Sequence, residues 1–298
     1  MQYSDFLLIL TILLCISITV VDVESLFAGE ATNLTNSNSD DRYPTWSPDG
    51  EAVLFESNRT GNWDVYQMKP NGSNLLQITK SDQDERFPTW SANGTRIAYI
   101  RQEANVSNIV VHNLLDSSTT IYNPHSEGEI LFLDWSPTSN ELAYTLDSNG
   151  SIDLVVFNLD SRITRKLTKS GHRSVWPRWG PQGDQISFFS RRDTNGKDDE
   201  IYTMSIDGSL IERITTKAGH DFCPTWSPSG DQLAGASILE DGSRQISILD
   251  TSGSVLGRVG TGFERVAEPS WSPDGTKMLY IARSEGVYDV YSEEIIIK

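Results

Sequence analysis

One short motif recurs six times along this 298-residue chain. It reads YPTWSPDG at Tyr43–Gly50, FPTWSANG at Phe87–Gly94, FLDWSPTS at Phe132–Ser139, WPRWGPQG at Trp176–Gly183, CPTWSPSG at Cys223–Gly230 and EPSWSPDG at Glu268–Gly275. The tryptophans at its centre are Trp46, Trp90, Trp135, Trp179, Trp226 and Trp271, spaced 44 to 47 residues apart. Self-similarity of this period decides architecture before any other feature does. Each unit is one supersecondary element that has to bury itself against its neighbours.

Every unit reads as four strands. The first is a short run ending in Trp-Ser. A Pro-Asp-Gly type turn follows, in which Pro presets φ and Gly accepts a positive one. The second strand is apolar, as in Val53-Leu54-Phe55 or Ile97-Ala98-Tyr99, and the third begins at motifs such as Asp64-Val65-Tyr66 and Glu200-Ile201-Tyr202. Asn71-Gly72 and Asp207-Gly208 are hairpin signals leading to a fourth strand, at Leu76–Thr79 and Arg213–Thr215. Four antiparallel strands repeated at this spacing predict an all-β, six-bladed β-propeller with four-stranded blades. The repeated tryptophans are expected to fill the contacts between blades. The sixth unit stops after its third strand, at Asp289–Ile297, and Ala31–Thr35 (ATNLT) matches the missing fourth. The ring is therefore predicted to close by placing the N-terminal strand in the C-terminal blade, which removes exposed sheet edges.

The pattern x-P-x-W-S-P-D-G, an apolar pair, D-[IV]-Y and then L-T resembles the TolB-type propeller repeat. The resemblance runs from Ala31 to about Ile297 and leaves out the α/β domain that precedes the propeller in TolB. The same repeat builds the propellers of some peptidases and of oligogalacturonate lyases. The resemblance thus implies a fold shared by binding proteins and enzymes.

Phe6–Val21 (FLLILTILLCISITVV) is short for a membrane span and suits the core of a signal peptide, although MQYSD ahead of it carries no Lys or Arg. Residues 1–25 are read as a signal peptide or short anchor, with cleavage after Ser25 or Ala28, and residues 29–298 as the propeller. The remainder is then extracytoplasmic, periplasmic or secreted. Cys15 lies in that leader, which leaves Cys223 as a small buried apolar residue without a disulfide partner. The net charge is −17 and no basic stripe is visible, which excludes a nucleic-acid partner. Membrane contact is expected only through an uncleaved leader, and the protein is read as a monomer.

Alternating strands send the loops to two rims. The Ser-Pro-Asp-Gly and Asn-Gly type turns share one rim. The blade connections and the loops between second and third strands share the other, and binding residues concentrate on variable loops held by a rigid scaffold. The candidates there are Arg42, Asp84, Arg86, Glu127, His172, Arg173, His220, Asp221 and Arg265. The competing reading is a solvated rim whose acids and arginines pair with each other. His125, His172 and His220 stand at near-equivalent places in their units, and with Glu127 or Asp221 they form a candidate divalent-metal set. The resemblance to the lyases, which carry histidines and a metal in the channel, implies the same. The alternative is that these histidines bond the backbone of the next blade.

Asp193–Glu200 matches a calcium loop only in its density of acids. No nucleophile elbow or phosphate-binding loop is present, and no catalytic residue is assigned. Asn-x-Ser/Thr sequons stand at Asn33, Asn58, Asn71, Asn93, Asn105 and Asn149. The expected function is a non-catalytic scaffold that docks an exported or envelope protein, or a peptide, on the loop rim. The alternative is a channel-centred, metal-dependent enzyme acting on acidic oligosaccharides, against which the negative charge of the chain weighs.

Overall fold

The structure, a computed structural model, describes residues 29–103, 106–169 and 171–297. The leader at 1–25, Cys15 and the Asn105 sequon lie outside the described residues.

The described chain forms six four-stranded antiparallel sheets. Their innermost strands are Asp41–Trp46, Asp84–Trp90, Glu129–Trp135, Ser174–Trp179, His220–Trp226 and Val266–Trp271, which open blades 1 to 6 in turn. Each inner strand contacts the inner strands of the two neighbouring blades, and the one of blade 6 contacts the one of blade 1. This is the six-bladed propeller that the repeat predicts.

One sheet has two faces and the described residues form no helix to cover them, so each blade is covered by the next. An apolar cluster occupies each of the six contacts, and each contains one repeat tryptophan. Trp226 packs with Leu233 and Leu249 of its own blade against Ile201 and Ile214 of blade 4. Trp46 packs with Phe55 and Tyr66 against Leu279 and Val290 of blade 6. Nε1 of Trp46, Trp179, Trp226 and Trp271 is buried without an acceptor among the described residues. These indoles act through their apolar area, and truncating one to Ala costs about 3–5 kcal/mol.

The D-[IV]-Y and L-T motifs meet in a repeated lock. The Thr168 hydroxyl donates to the Asp153 carboxylate at 2.9 Å and accepts the Leu154 N–H at 2.9 Å. Thr79 does the same with Asp64 and the Val65 N–H, and Thr215 with Glu200 and the Ile201 N–H. These acids are almost fully buried, and the lock satisfies them together with a backbone donor that the ladder would leave open. It also shortens the fourth strands relative to the sequence pattern. The ladders end at Gln77, Lys166 and Arg213, before the Leu/Ile-Thr pair, because the threonine side chain takes over the pairing.

The same lock joins the two ends of the chain. Thr32–Asn33 pairs antiparallel with Val287–Glu294, Thr32 opposite Ser292 and Asn33 opposite Tyr291, and the Leu34 N–H donates to the Val290 carbonyl at 2.8 Å. The Thr35 hydroxyl donates to Asp289 at 2.9 Å and accepts the Val290 N–H at 3.0 Å. Asn33 adds Nδ2 donation to Asp289 at 3.0 Å, so a glycan on this sequon would remove a bond of the closure. Gly72 of blade 1, at φ 81°, lies so close that a Cβ would stand 2.5 Å from the Leu34 carbonyl oxygen.

Thr35→Val and Thr168→Val remove one lock each, and each is expected to lower the free energy of unfolding by about 1–2 kcal/mol. Urea titration of both variants checks this. Loss in Thr168→Val alone would show that the N-terminal strand is not paired in solution.

Candidate functional site

Five of the six inner strands carry a proline two residues before the tryptophan, and proline cannot donate to a ladder. The inner strands absorb it with a bulge. In blade 1 the register shifts between Arg42 and Thr45, so that Tyr43 and Pro44 face one residue of the partner strand. The equivalent shift occurs in the other five blades, including blade 3, where Leu133 replaces the proline. A bulge re-aims a side chain. The residue before the proline position is left-handed in every blade: Tyr43 at φ 53°, Phe87 at 56°, Phe132 at 58°, Trp176 at 62°, Cys223 at 52° and Glu268 at 59°. For residues with a Cβ this conformation costs roughly 1–2 kcal/mol each, so the surroundings must hold it.

They hold it by packing across the axis. The Tyr43 ring stands 4.6 Å from Phe87 and 5.1 Å from Trp176 of blade 4, on the opposite side of the ring. Phe132 lies 5.1 Å from Phe87 and 4.8 Å from Trp176. Cys223 joins the same cluster and is buried. The preceding blade also catches the strained backbone: Glu56 accepts the Phe87 N–H at 2.8 Å, Thr145 the Trp176 N–H at 3.0 Å, and Glu268 the Tyr43 N–H at 2.7 Å. The axis is therefore filled, at this level, by four aromatic rings, a thiol and a carboxyl.

Glu268 is the unusual member. It is buried, among the described residues no cation forms an ion pair with it, and burial pushes its pKa up to about 7 against the Tyr43 N–H and the more distant Arg42. Burial likewise raises Glu56, although Arg86 opposes the shift, and raises the Cys223 thiol, with the Glu268 charge adding to it.

Above the plug, on the loop rim, most candidate residues are engaged. Arg86 donates Nε and Nη2 to Glu56 at 3.1 and 2.6 Å and lies over the Trp63 ring. Asp84 accepts the Trp63 N–H at 2.9 Å. Arg42 stacks on Tyr288 and stands 3.9 Å from Asp40. Arg173 and Arg191 share Asp199 at 3.0 and 2.8 Å. Nδ1 of His220 accepts the Asp199 N–H at 3.2 Å, and Asp221 accepts the Ser237 hydroxyl. Glu127, His172 and Arg265 are exposed. The three histidines stay apart: Nε2 of His125 is 2.7 Å from the Tyr144 hydroxyl, His220 sits against Asp199, and His172 faces solvent. Among the described residues no group of three or more His, Cys, Asp or Glu is placed to hold a metal ion.

Sequence reading missed the axial hexad, although the positions open the six quoted motifs. The signal was there in the aromatic residue that precedes proline in three units and stands at the same place in a fourth. Only the bulge shows that it points to the axis. Large exposed apolar side chains avoid the loop rim. Leu75, Leu76, Ile121, Leu210, Ile211 and Val255 lie on the outermost strands or the hairpins leading to them, where no further strand covers the sheet.

The family profile described as the TolB beta propeller domain matches residues 16–129, 72–219 and 199–296. The chain belongs to the TolB β-propeller family. A TolB homolog of Chlorobaculum tepidum is 29% identical over 122 residues, 41% of this chain and 28% of that protein. The chain thus aligns with under a third of that relative's length. A structure described as TolB of Agrobacterium tumefaciens superposes with a TM-score of 0.69 at 22% identity, covering 91% of this chain and 98% of that one. An oligogalacturonate lyase of Vibrio parahaemolyticus gives 0.60 at 12% identity, with 90% and 94% covered. At these identities the structural likeness shows a shared fold.

The raised acid at the axis carries a pH dependence. Folded Glu268 holds its proton to about pH 7, while the unfolded carboxyl loses it near 4.5. Between those values the folded state binds more protons, so stability falls as pH rises through this window. Glu268→Gln is expected to match the wild type at pH 4 and to exceed it at pH 8 by an amount on the order of 3 kcal/mol. Thermal unfolding of both proteins across this range tests it, and parallel pH profiles would place the burden on another group.

Proposed function

We propose that this TolB-family propeller is a non-catalytic, extracytoplasmic scaffold that docks an exported or envelope protein, or a peptide segment of one, on its loop rim. The observation that carries this reading is the filled axis. A channel-centred enzyme needs open, polar space where substrate and catalytic groups meet, and here Tyr43, Phe87, Phe132 and Trp176 pack against one another across it. The lyase-like alternative also draws no support from the histidines, of which His125 and His220 hold separate partners and His172 is exposed.

The loop rim has the properties of a docking face. Its loops are tied to the blades by backbone bonds such as Glu85 N–H to the Trp63 carbonyl at 2.7 Å and Asp221 N–H to the Asp199 carbonyl at 2.8 Å. Buried carboxylates of Asp41, Glu56 and Glu85 hold Arg59, Arg86 and Arg101 in fixed directions. A rigid surface loses little entropy when a partner binds. The extracytoplasmic placement rests on the apolar leader at Phe6–Val21 and on membership of the TolB family.

Capture from the exported proteome of the source cell, with the mature propeller as bait, tests the proposal. A single partner should be retained. Replacing the exposed rim residues His172 and Arg265 together by Ala should weaken its retention about tenfold, at a cost of roughly 1–2 kcal/mol. Replacing Asp49 and Asp274 on the opposite rim should leave retention unchanged. The reverse pattern would move the docking face to the turn rim.

A further inference from the structure

Blades 1 and 4 carry the same arginine clamp, and one of the two lacks its carboxylate. Arg59 and Arg192 hold the same position relative to the repeat tryptophans Trp46 and Trp179, each at the start of the loop between second and third strands. Both guanidinium groups lie over the two stacked rings of their blade. Arg59 stands 5.5 Å from Phe55 and 4.8 Å from Tyr66, and Arg192 stands 4.8 Å from Phe188 and 5.1 Å from Tyr202. Both donate Nε to a serine of the second strand, Ser57 at 2.8 Å and Ser190 at 3.3 Å.

The difference lies on the inner strand. Nη2 of Arg59 reaches the buried Asp41 carboxylate at 2.8 Å. At the position equivalent to Asp41 blade 4 has Ser174, and Nη2 of Arg192 reaches its hydroxyl at 3.0 Å. Arg192 is half-buried, and no carboxylate stands within ion-pair distance of it among the described residues. The adjacent Asp193 accepts the Tyr202 hydroxyl, and its charge acts on Arg192 without an ion-pair contact. Nearby, Arg173 and Arg191 divide the single carboxylate of Asp199 between them. Blade 4 thus gathers three arginines around one directly paired acid, on a chain whose net charge is −17. Desolvation lowers the pKa of Arg192 and of Arg173, while Arg191, held twice by Asp199, is raised.

We infer that Arg192, at the inner edge of the loop rim of blade 4, receives an acidic side chain of the docked partner, whose carboxylate takes the place that Asp41 fills in blade 1. The fork of the guanidinium is oriented in advance by two aromatic rings and two serines. The incoming carboxylate meets a desolvated cation with a free donor edge, where a charge-assisted bond is stronger than at an open surface. The inference deepens the docking proposal and rests on the loop rim being the docking face.

The test uses the whole mature chain and a fluorescein-labelled tetraglutamate peptide, followed by anisotropy at low ionic strength. Saturable binding is expected, with a tetraglutamine peptide silent. Arg192→Gln should weaken it about tenfold or more, the size of a charge-assisted hydrogen bond. Ser174→Asp should weaken it as much by supplying the carboxylate internally, and should raise the melting temperature, so that a folding defect in the first variant cannot mimic the result. Lys69→Gln, an exposed cation of the opposite, turn-bearing rim, should change affinity less than twofold.

Absence of saturable binding overturns the inference, as does equal binding by the wild type, Arg192→Gln and Ser174→Asp. Free glutamate competing as well as the peptide overturns the assignment to a partner side chain. A captured protein partner that binds Ser174→Asp as tightly as the wild type sinks this inference and leaves the docking rim standing. A partner bound on the turn rim removes the rim reading itself.

Discussion

A four-stranded sheet with apolar residues on both faces has to be covered twice, and the described residues offer only further sheets to cover it with. That requirement turns six equal units into a ring, because only closure covers the first face of blade 1 and the last face of blade 6. The closing contact uses the chemistry of the ordinary ones. Trp46 fills the blade 6 to blade 1 contact as Trp226 fills the blade 4 to blade 5 contact. Thr35 and Asp289 form across the chain ends the lock that Thr168 and Asp153 form within blade 3. A bond between residues 254 positions apart ties the first described strand to the last blade.

The ring in turn dictates what happens at its axis. Six inner strands converge there, each with a bulge that turns one side chain inward. Four aromatic rings fill this space by edge and face contacts that hold left-handed backbones which would otherwise relax. Glu268 and Cys223 occupy the remaining two places, so the plug is apolar on one side and titratable on the other. Its filling leaves no open channel at this level, and on the rim buried acids fix arginines in place.

On that rim, repetition makes departures readable. A clamp built once with Asp41 and again with Ser174 differs by one carboxylate on the inner strand. Similar comparisons explain why His125, His172 and His220 are not brought into one cluster among the described residues. Equivalent places on successive blades lie around a ring, and side chains there find local partners, Tyr144 for the first and Asp199 for the third.

The sequence by itself determined the number of blades, the four strands of each and the match of Ala31–Thr35 to a missing fourth strand, because tryptophan spacing, turn chemistry and strand alternation are local properties. It also marked Cys223 as buried, and it left open whether the acids and arginines of the loop rim pair with each other. It overstated the length of the outer strands, since a threonine that replaces a ladder bond with its hydroxyl looks like strand in a pattern. Tertiary structure decided the rest. Whether Tyr43 meets Trp176, whether Glu268 is left without a cation and whether Arg192 is left without an acid depend on distances across the axis and between neighbouring strands. No pattern along the chain encodes those distances, because they arise only when six bulged strands are brought to one centre.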